Sequence, residues 1–220
     1  MTDSTRIAFW ERQAGRLDWS RPWDTAHTFE PPRRIDTDGS GTDDGAPQYT
    51  VPRIEWFAGG TLNAAENCVD RHVRAGFGEK PALHFEGEPG DRRTLTYRDL
   101  QEEVSRAANA LTALGITAGD RVVVYLPVIP ETVVITLACA RIGAVHSLVF
   151  GGFSADALRF RVEDTGAKLL VTSDGQFRRG RAVPVKEAAD QAVTGLDHVE
   201  HVLVVERTGD DIPWTDGRDV

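Results

Sequence analysis

Residues 121–154, RVVVYLPVIPETVVITLACARIGAVHSLVFGGFS, constrain this chain more than any other stretch. Residues 121–126 form a short apolar run rich in β-branched side chains, which predicts a strand buried on both faces. Pro127 and Pro130 break that run. Pro130 suits the first turn of a helix, where the missing N–H is not needed. A helix is expected from about 131 to 141, stopped at Gly143, and a second buried strand over 144–150. Gly151 and Gly152 then turn the chain into Ser154, an expected helix N-cap. Strand, helix and strand in this order make a βαβ unit, and open α/β sheets take ligands where such strands end.

The flanking sequence repeats this alternation. Thr96 and Asp99 have capping-box spacing, and Tyr97, Leu100, Val104, Leu111 and Leu114 recur at helical intervals, so a helix is expected over 96–114 with Gly115 just past its end. Residues 82–85 and the segment around Leu95 read as two short strands joined by a GEPGD turn. After Ser154 come a helix to about 164, a strand over 168–172, a basic turn over 177–181, a helix over 183–192 and a strand over 201–205. Alternation of this kind defines an α/β protein, here a partial parallel-sheet subdomain with helices on both faces.

The N-terminal third differs. Residues 4–17 predict an amphipathic helix, followed by a Pro-containing irregular segment with Trp19, Trp23 and Phe29. Tryptophans so placed suit anchoring of an N-terminal arm to a larger body. Residues 36–46, DTDGSGTDDGA, read as a flexible acidic loop without the closing Glu of a calcium-binding hand. Asn63 and Glu66 have capping-box spacing for a helix reaching about 74. Ala65, Cys68, Val69, His72 and Val73 are expected to line one side of it.

Charge and cysteine usage exclude several classes. A net charge of −9 over 220 residues argues against a general nucleic-acid binder. No apolar leader opens the chain, so no signal peptide is expected. The longest apolar run, 133–150, carries Arg141, which costs ~2.5–3.5 kcal/mol at a membrane centre, so no membrane span is expected. The two cysteines, Cys68 and Cys139, lie in apolar helical patterns and read as buried free thiols. His198 and His201 lack the further ligands of a closed zinc site. A cytoplasmic setting follows from these readings.

Two stretches can handle a ligand. Phe150, Gly151 and Gly152 sit at a strand-to-helix turn where glycines admit a ligand to the backbone and a helix N-terminus favours an anion. The alternative is a tight turn that needs glycine for packing. Arg178, Arg179, Gly180 and Arg181, with Lys186 nearby, follow a strand's carboxyl end, and arginines bind phosphates by paired hydrogen bonds. The alternative is a solvated charge run. Both stretches are expected on one sheet edge, which suggests a polyanionic ligand.

These residues, taken in order, resemble the N-terminal part of AMP-forming acetyl-CoA synthetases, within the adenylate-forming enzymes. The resemblance runs over nearly the whole chain. It is carried by Phe9-Trp10, Leu17-Asp18-Trp19, Trp56-Phe57, Gly60-Thr61-Leu62-Asn63, Asn67-Cys68-Val69-Asp70-Arg71-His72 and Thr96-Tyr97-Arg98-Asp99-Leu100. Its most specific part is Ala138-Cys139-Ala140-Arg141-Ile142-Gly143-Ala144-Val145-His146-Ser147 with residues 149–154. Arg207-Thr208-Gly209 and Gly217-Arg218-Asp219 close it.

The resemblance implies residues 1–60 as an N-terminal extension and 61–220 as the first part of the large ligase domain, truncated. It implies acetate and ATP giving acetyl-AMP and pyrophosphate, with the CoA thiol then attacking the mixed anhydride. The arginine turn would contact the nucleotide phosphates of CoA, and the turn at 150–152 would lie against its adenine. The family's ATP-phosphate loop, its adenine and magnesium motif and its catalytic lysine have no counterpart in this sequence. The chain is therefore expected to hold no catalytic residue, to be inactive alone, and to need the remaining ligase segments. ATP and Mg2+ would belong to the complete enzyme, with acetate and CoA as its other small-molecule partners. Two alternatives stay open: a stand-alone CoA- or nucleotide-binding module, and a ligase for propionate or another short acyl group.

Overall fold

The computed structural model describes residues 3–35 and 48–220. The acidic stretch 36–46, expected to be a flexible loop, lies outside the described residues. The chain divides into two compact units, Met1–Leu62 and Asn63–Val220.

The first unit opens with helix α1, Asp3–Ala14. It ends three residues earlier than the pattern suggested, because Gly15 loosens the last turn and the Leu17 N–H donates to the Ala14 carbonyl instead. Strand β1, Thr25–Glu30, pairs antiparallel with β4, Arg53–Ala58, and a short pair joins β2, Arg34–Ile35, to β3, Gln48–Tyr49. The rings of Trp19 and Trp23 meet edge to face 5.0 Å apart, and both pack on Phe57 of β4. Within the unit the tryptophans thus build a small aromatic core.

The second unit opens with a helical segment of π character, Glu66–Asp70 and Val73–Phe77. The Glu66 N–H donates to Asn63 Oδ1 at 3.2 Å, half of the expected capping box. The wider π turn moves side chains off the 3.6-residue stripe. Ala65 and Val69 are fully buried, Asn67 turns inward, and Cys68 is exposed rather than buried.

Strand β5, Pro81–Glu86, and strand β6, Arg92–Thr96, form the expected hairpin across the GEPGD turn. Helix α2, Tyr97–Ala113, starts at the Thr96–Asp99 capping box, both halves of which are present. Strand β7, Arg121–Leu126, leads to helix α3, Pro130–Ile142, with Pro130 in its first turn and Gly143 left-handed at its end. Then come strand β8, Val145–Phe150, helix α4, Ala155–Thr165, and strand β9, Leu169–Ser173. Ser154 caps α4 by accepting the Ala157 N–H.

Where one basic turn was expected there is a hairpin: β10, Gly175–Arg178, and β11, Arg181–Pro184. Helix α5, Lys186–Val193, therefore begins three residues later than expected, since residues 181–184 are used as strand. Strand β12, His201–Val205, completes the fold.

The main sheet is parallel, in the order β12-β9-β7-β8. Its two faces are read from alternate residues of one strand. Val122, Val124 and Leu126 pack with α2 and α3, while Val123 and Tyr125 pack with α4 and α5. Helices thus cover both faces, as the pattern predicted. Strand β8 was expected to be buried, yet it lies at the sheet edge. There Val145 is 53% exposed, Leu148 59% and Phe150 50%. Arg141, the charge that argued against a membrane helix, pairs through Nη2 with both Asp70 oxygens at 2.8 and 2.6 Å. Among the described residues no helix is long and apolar enough to cross a membrane.

Candidate functional site: an arginine hairpin at the carboxyl edge of the sheet

From β7 the chain crosses to β8 on one side, then returns past β7 to β9 on the other. The order therefore reverses between β7 and β9, and in open α/β sheets the crevice at such a reversal is where ligands bind. A cleft of about 250 Å³ lies there. Its walls come from Pro127, Val128 and Ile129 after β7, Phe150 at the end of β8, Gln176, Phe177 and Arg178 on β10, and Phe85 and Glu88 from the β5–β6 hairpin.

The two stretches singled out in the sequence meet at this cleft. The Gln176 side-chain amide donates to the Gly151 carbonyl at 2.7 Å. A methyl group at Gly152 would fall 2.7 Å from Arg178 Nη1 and 2.9 Å from the Phe150 ring. Gly151 is different: a methyl there would meet the backbone of Leu126 and Pro127 at 3.3 Å. A side chain at Gly151 would thus crowd main-chain atoms, while Gly152 leaves room for the Arg178 guanidinium. The Tyr125 hydroxyl donates to the Phe153 carbonyl at 2.8 Å and fixes the far side of the turn. Burial raises the pKa of that phenol, so it stays a neutral donor.

Arg179 and Gly180 form the two-residue loop of the β10–β11 hairpin, with φ of 54° and 77°. Positive φ at both central residues is the type I′ turn that matches strand twist. The register sets Arg178 directly opposite Arg181. Like charges facing across a strand pair are destabilising. Among the described residues neither Arg178, Arg179 nor Arg181 has a carboxylate partner. Three guanidiniums without carboxylate partners thus sit on one exposed turn of an acidic protein, an arrangement whose chemistry suits an anion.

Lys186 does not belong to it. Its side chain is fully buried, with Nζ 2.7 Å from Asp190 Oδ1 and 2.7 Å from Asp219 Oδ2. Arg218 joins the same network through both aspartates. Burial alone would raise the Asp219 pKa, but Arg218 and Lys186 hold it at about 2.

Sequence reasoning missed the parts that brace the hairpin. Arg207 binds Asp91 through two hydrogen bonds, at 2.8 and 3.1 Å. Its guanidinium lies over Phe85 and Phe177, 5.5 and 4.9 Å from the ring centres. Asp174, just past β9, accepts backbone N–H bonds from Gly175, Arg207, Thr208 and Gly209 at 2.6–3.1 Å. Burial pushes this carboxyl up, yet those donors outweigh it and the net shift is downward. Only the alternation around Phe177 and the Arg-Gly pair hinted at a hairpin. Nothing local marked Asp91 or Asp174.

A parallel sheet covered by helices on both faces, with its strand order reversing at β7, is the doubly wound α/β arrangement. The chain belongs to the AMP-binding enzymes, whose family matches residues 69–219. Residues 3–68 match the acetyl-coenzyme A synthetase N-terminus. Over 99% of its length the chain is 54% identical to an acetyl-coenzyme A synthetase of Mycobacterium tuberculosis and 53% identical to one of Mycolicibacterium smegmatis. Over 98% it is 54% identical to that of Streptomyces avermitilis. The chain spans 31%, 21% and 30% of these relatives, respectively, and corresponds to an N-terminal part of them.

Proposed function

We propose that this chain serves as the N-terminal part of an acetate–CoA ligase and contributes part of its CoA-binding surface. The observation that supports this most is the facing pair Arg178 and Arg181, unpaired, beside Gly152 and Phe150 at the sheet's carboxyl edge. Guanidiniums so placed suit the phosphates of CoA, and the half-exposed Phe150 ring suits stacking on its adenine. Arg179 and the backbone of Gly151, Gly152 and Gly180 complete the surface.

In the complete ligase acetate attacks the α-phosphorus of ATP and pyrophosphate leaves. The CoA thiol then attacks the acetyl carbon and AMP leaves. ATP with Mg2+ supplies the first step through segments other than the residues named here. This chain's part is to hold the nucleotide end of CoA, and it has no catalytic residue of its own. Residues 1–60 act as the extension and 61–220 as the start of the large domain. The names of the relatives supply acetate as the acid, and a cytoplasmic setting suits the reduced cysteines.

Isothermal titration of the 220-residue chain with CoA tests the binding half of this reading. Saturable binding, weakened by Arg178→Ala or Arg181→Ala, is expected. Acetate-, ATP- and CoA-dependent release of AMP tests the other half. The isolated chain is expected to release none, and turnover near that of a complete ligase would overturn its assignment as a partial unit.

A further inference from the structure

The β10–β11 hairpin should not hold its shape unaided. It has four residues per strand and pairs only with itself, and an isolated two-stranded hairpin is marginal in water. Its closed end sets Arg178 opposite Arg181, which repel. Its turn holds Arg179 at φ 54°, a left-handed conformation that costs a non-glycine residue about 1–2 kcal/mol. Strain of this kind persists only where surrounding structure over-determines it.

Among the described residues one hydrogen bond reaches the turn from outside. The Gly180 N–H donates to Glu88 Oε1 at 2.5 Å, across 92 residues of sequence. Glu88 stands in the β5–β6 turn, which Asp91 and Arg207 fasten in place. An N–H bond to a carboxylate is about twice as strong as a neutral one. We infer that Glu88 is a positioning residue for the arginine hairpin: its carboxylate closes the turn and keeps Arg178 and Arg181 set for a phosphate-bearing ligand. Preorganisation of this kind raises affinity without adding a contact to the ligand.

The functional half of this inference rests on the CoA reading above, and the test separates the two. Glu88→Ala removes the acceptor, and Glu88→Gln keeps an acceptor oxygen without the charge. In the ligand-free 220-residue chain, hydrogen exchange of the Gly180 amide is expected to quicken about tenfold in Glu88→Ala and only about threefold in Glu88→Gln, which keeps a neutral acceptor. With adenosine 3′,5′-bisphosphate and CoA as probes, Glu88→Ala is expected to raise Kd about tenfold and Glu88→Gln only about threefold, while both variants melt as wild type does. Unchanged Gly180 exchange in Glu88→Ala, or equal loss of affinity in the two variants, overturns the role of Glu88. Affinity unchanged by Arg178→Ala and Arg181→Ala overturns the CoA reading instead.

Discussion

Arg178 and Arg181 face each other directly across the closed end of the β10–β11 hairpin, and neither has a carboxylate partner among the described residues. Such an arrangement opposes stability and favours anion binding, so the two properties separate under mutation. Arg178→Ala or Arg181→Ala is expected to leave the melting temperature unchanged or slightly higher. Each is expected to cost about 1.5–3 kcal/mol of CoA binding, the range for a charge-assisted hydrogen bond, or roughly tenfold to a hundredfold in Kd. Calorimetry and thermal melts of the same samples check both halves. In the complete ligase, pyrophosphate release is expected to survive the substitution.

The two glycines of the neighbouring turn are expected to fail in different ways. Gly151→Ala drives a methyl against the backbone of Leu126 and Pro127, which cannot swing aside, so stability falls. Gly152→Ala meets the end of the Arg178 side chain and the Phe150 ring, which can move. Its stability is expected to hold while CoA affinity drops. Urea titration and CoA titration of both variants distinguish them.

Acid is expected to weaken the fold through Asp219 and Asp120. Asp120 is held at about 2 by Lys168 and by the backbone and hydroxyl of Thr117, and Asp219 is held at about 2 by Arg218 and Lys186 against its burial. An unfolded aspartate titrates near ~3.9. The folded state therefore binds fewer protons than the unfolded state in this range. The stabilisation is present above pH ~4 and is lost as pH falls from there towards 2. Urea midpoints measured across that window are expected to decline, and less steeply in Asp120→Asn. Lys186→Ala leaves buried Asp219 with Arg218 as its remaining cationic partner and is expected to lower stability at neutral pH, by less than the loss of a sole partner would.

The two cysteines are expected to differ sharply toward iodoacetamide. Cys68 is exposed, whereas Cys139 is buried in α3 with its thiol pushed up to about 11. The folded chain is expected to take one label, at Cys68, and a second only in denaturant. Peptide mass mapping reads the sites.

Much of this molecule was legible from the chain alone where the controlling physics is local. The capping box at Thr96, the proline that opens α3, the left-handed Gly143 and the cap at Ser154 each act within four residues. The shared edge of the two stretches at 150–152 and 178–181 was legible too, because both follow the carboxyl ends of strands. What stayed hidden depends on distant partners. An all-apolar strand reads the same at the centre of a sheet and at its rim, so the exposure of β8 could not be foreseen. Lys186 looked available because residues 213–219 close over it only in the fold. Cys68 faces water because a π turn shifts the helical stripe, and no side chain announces that shift.

The Asp91–Arg207 clamp joins residues 116 positions apart, and Glu88 reaches Gly180 across 92. Closing loops of that length adds little to the entropic cost, which grows only with the logarithm of length, but it dictates order in time. During synthesis the arginine turn emerges before its clamp, so it stays unbraced until residues beyond 207 have left the ribosome. A nascent chain of this protein would have three of its four parallel strands in hand before that turn is braced.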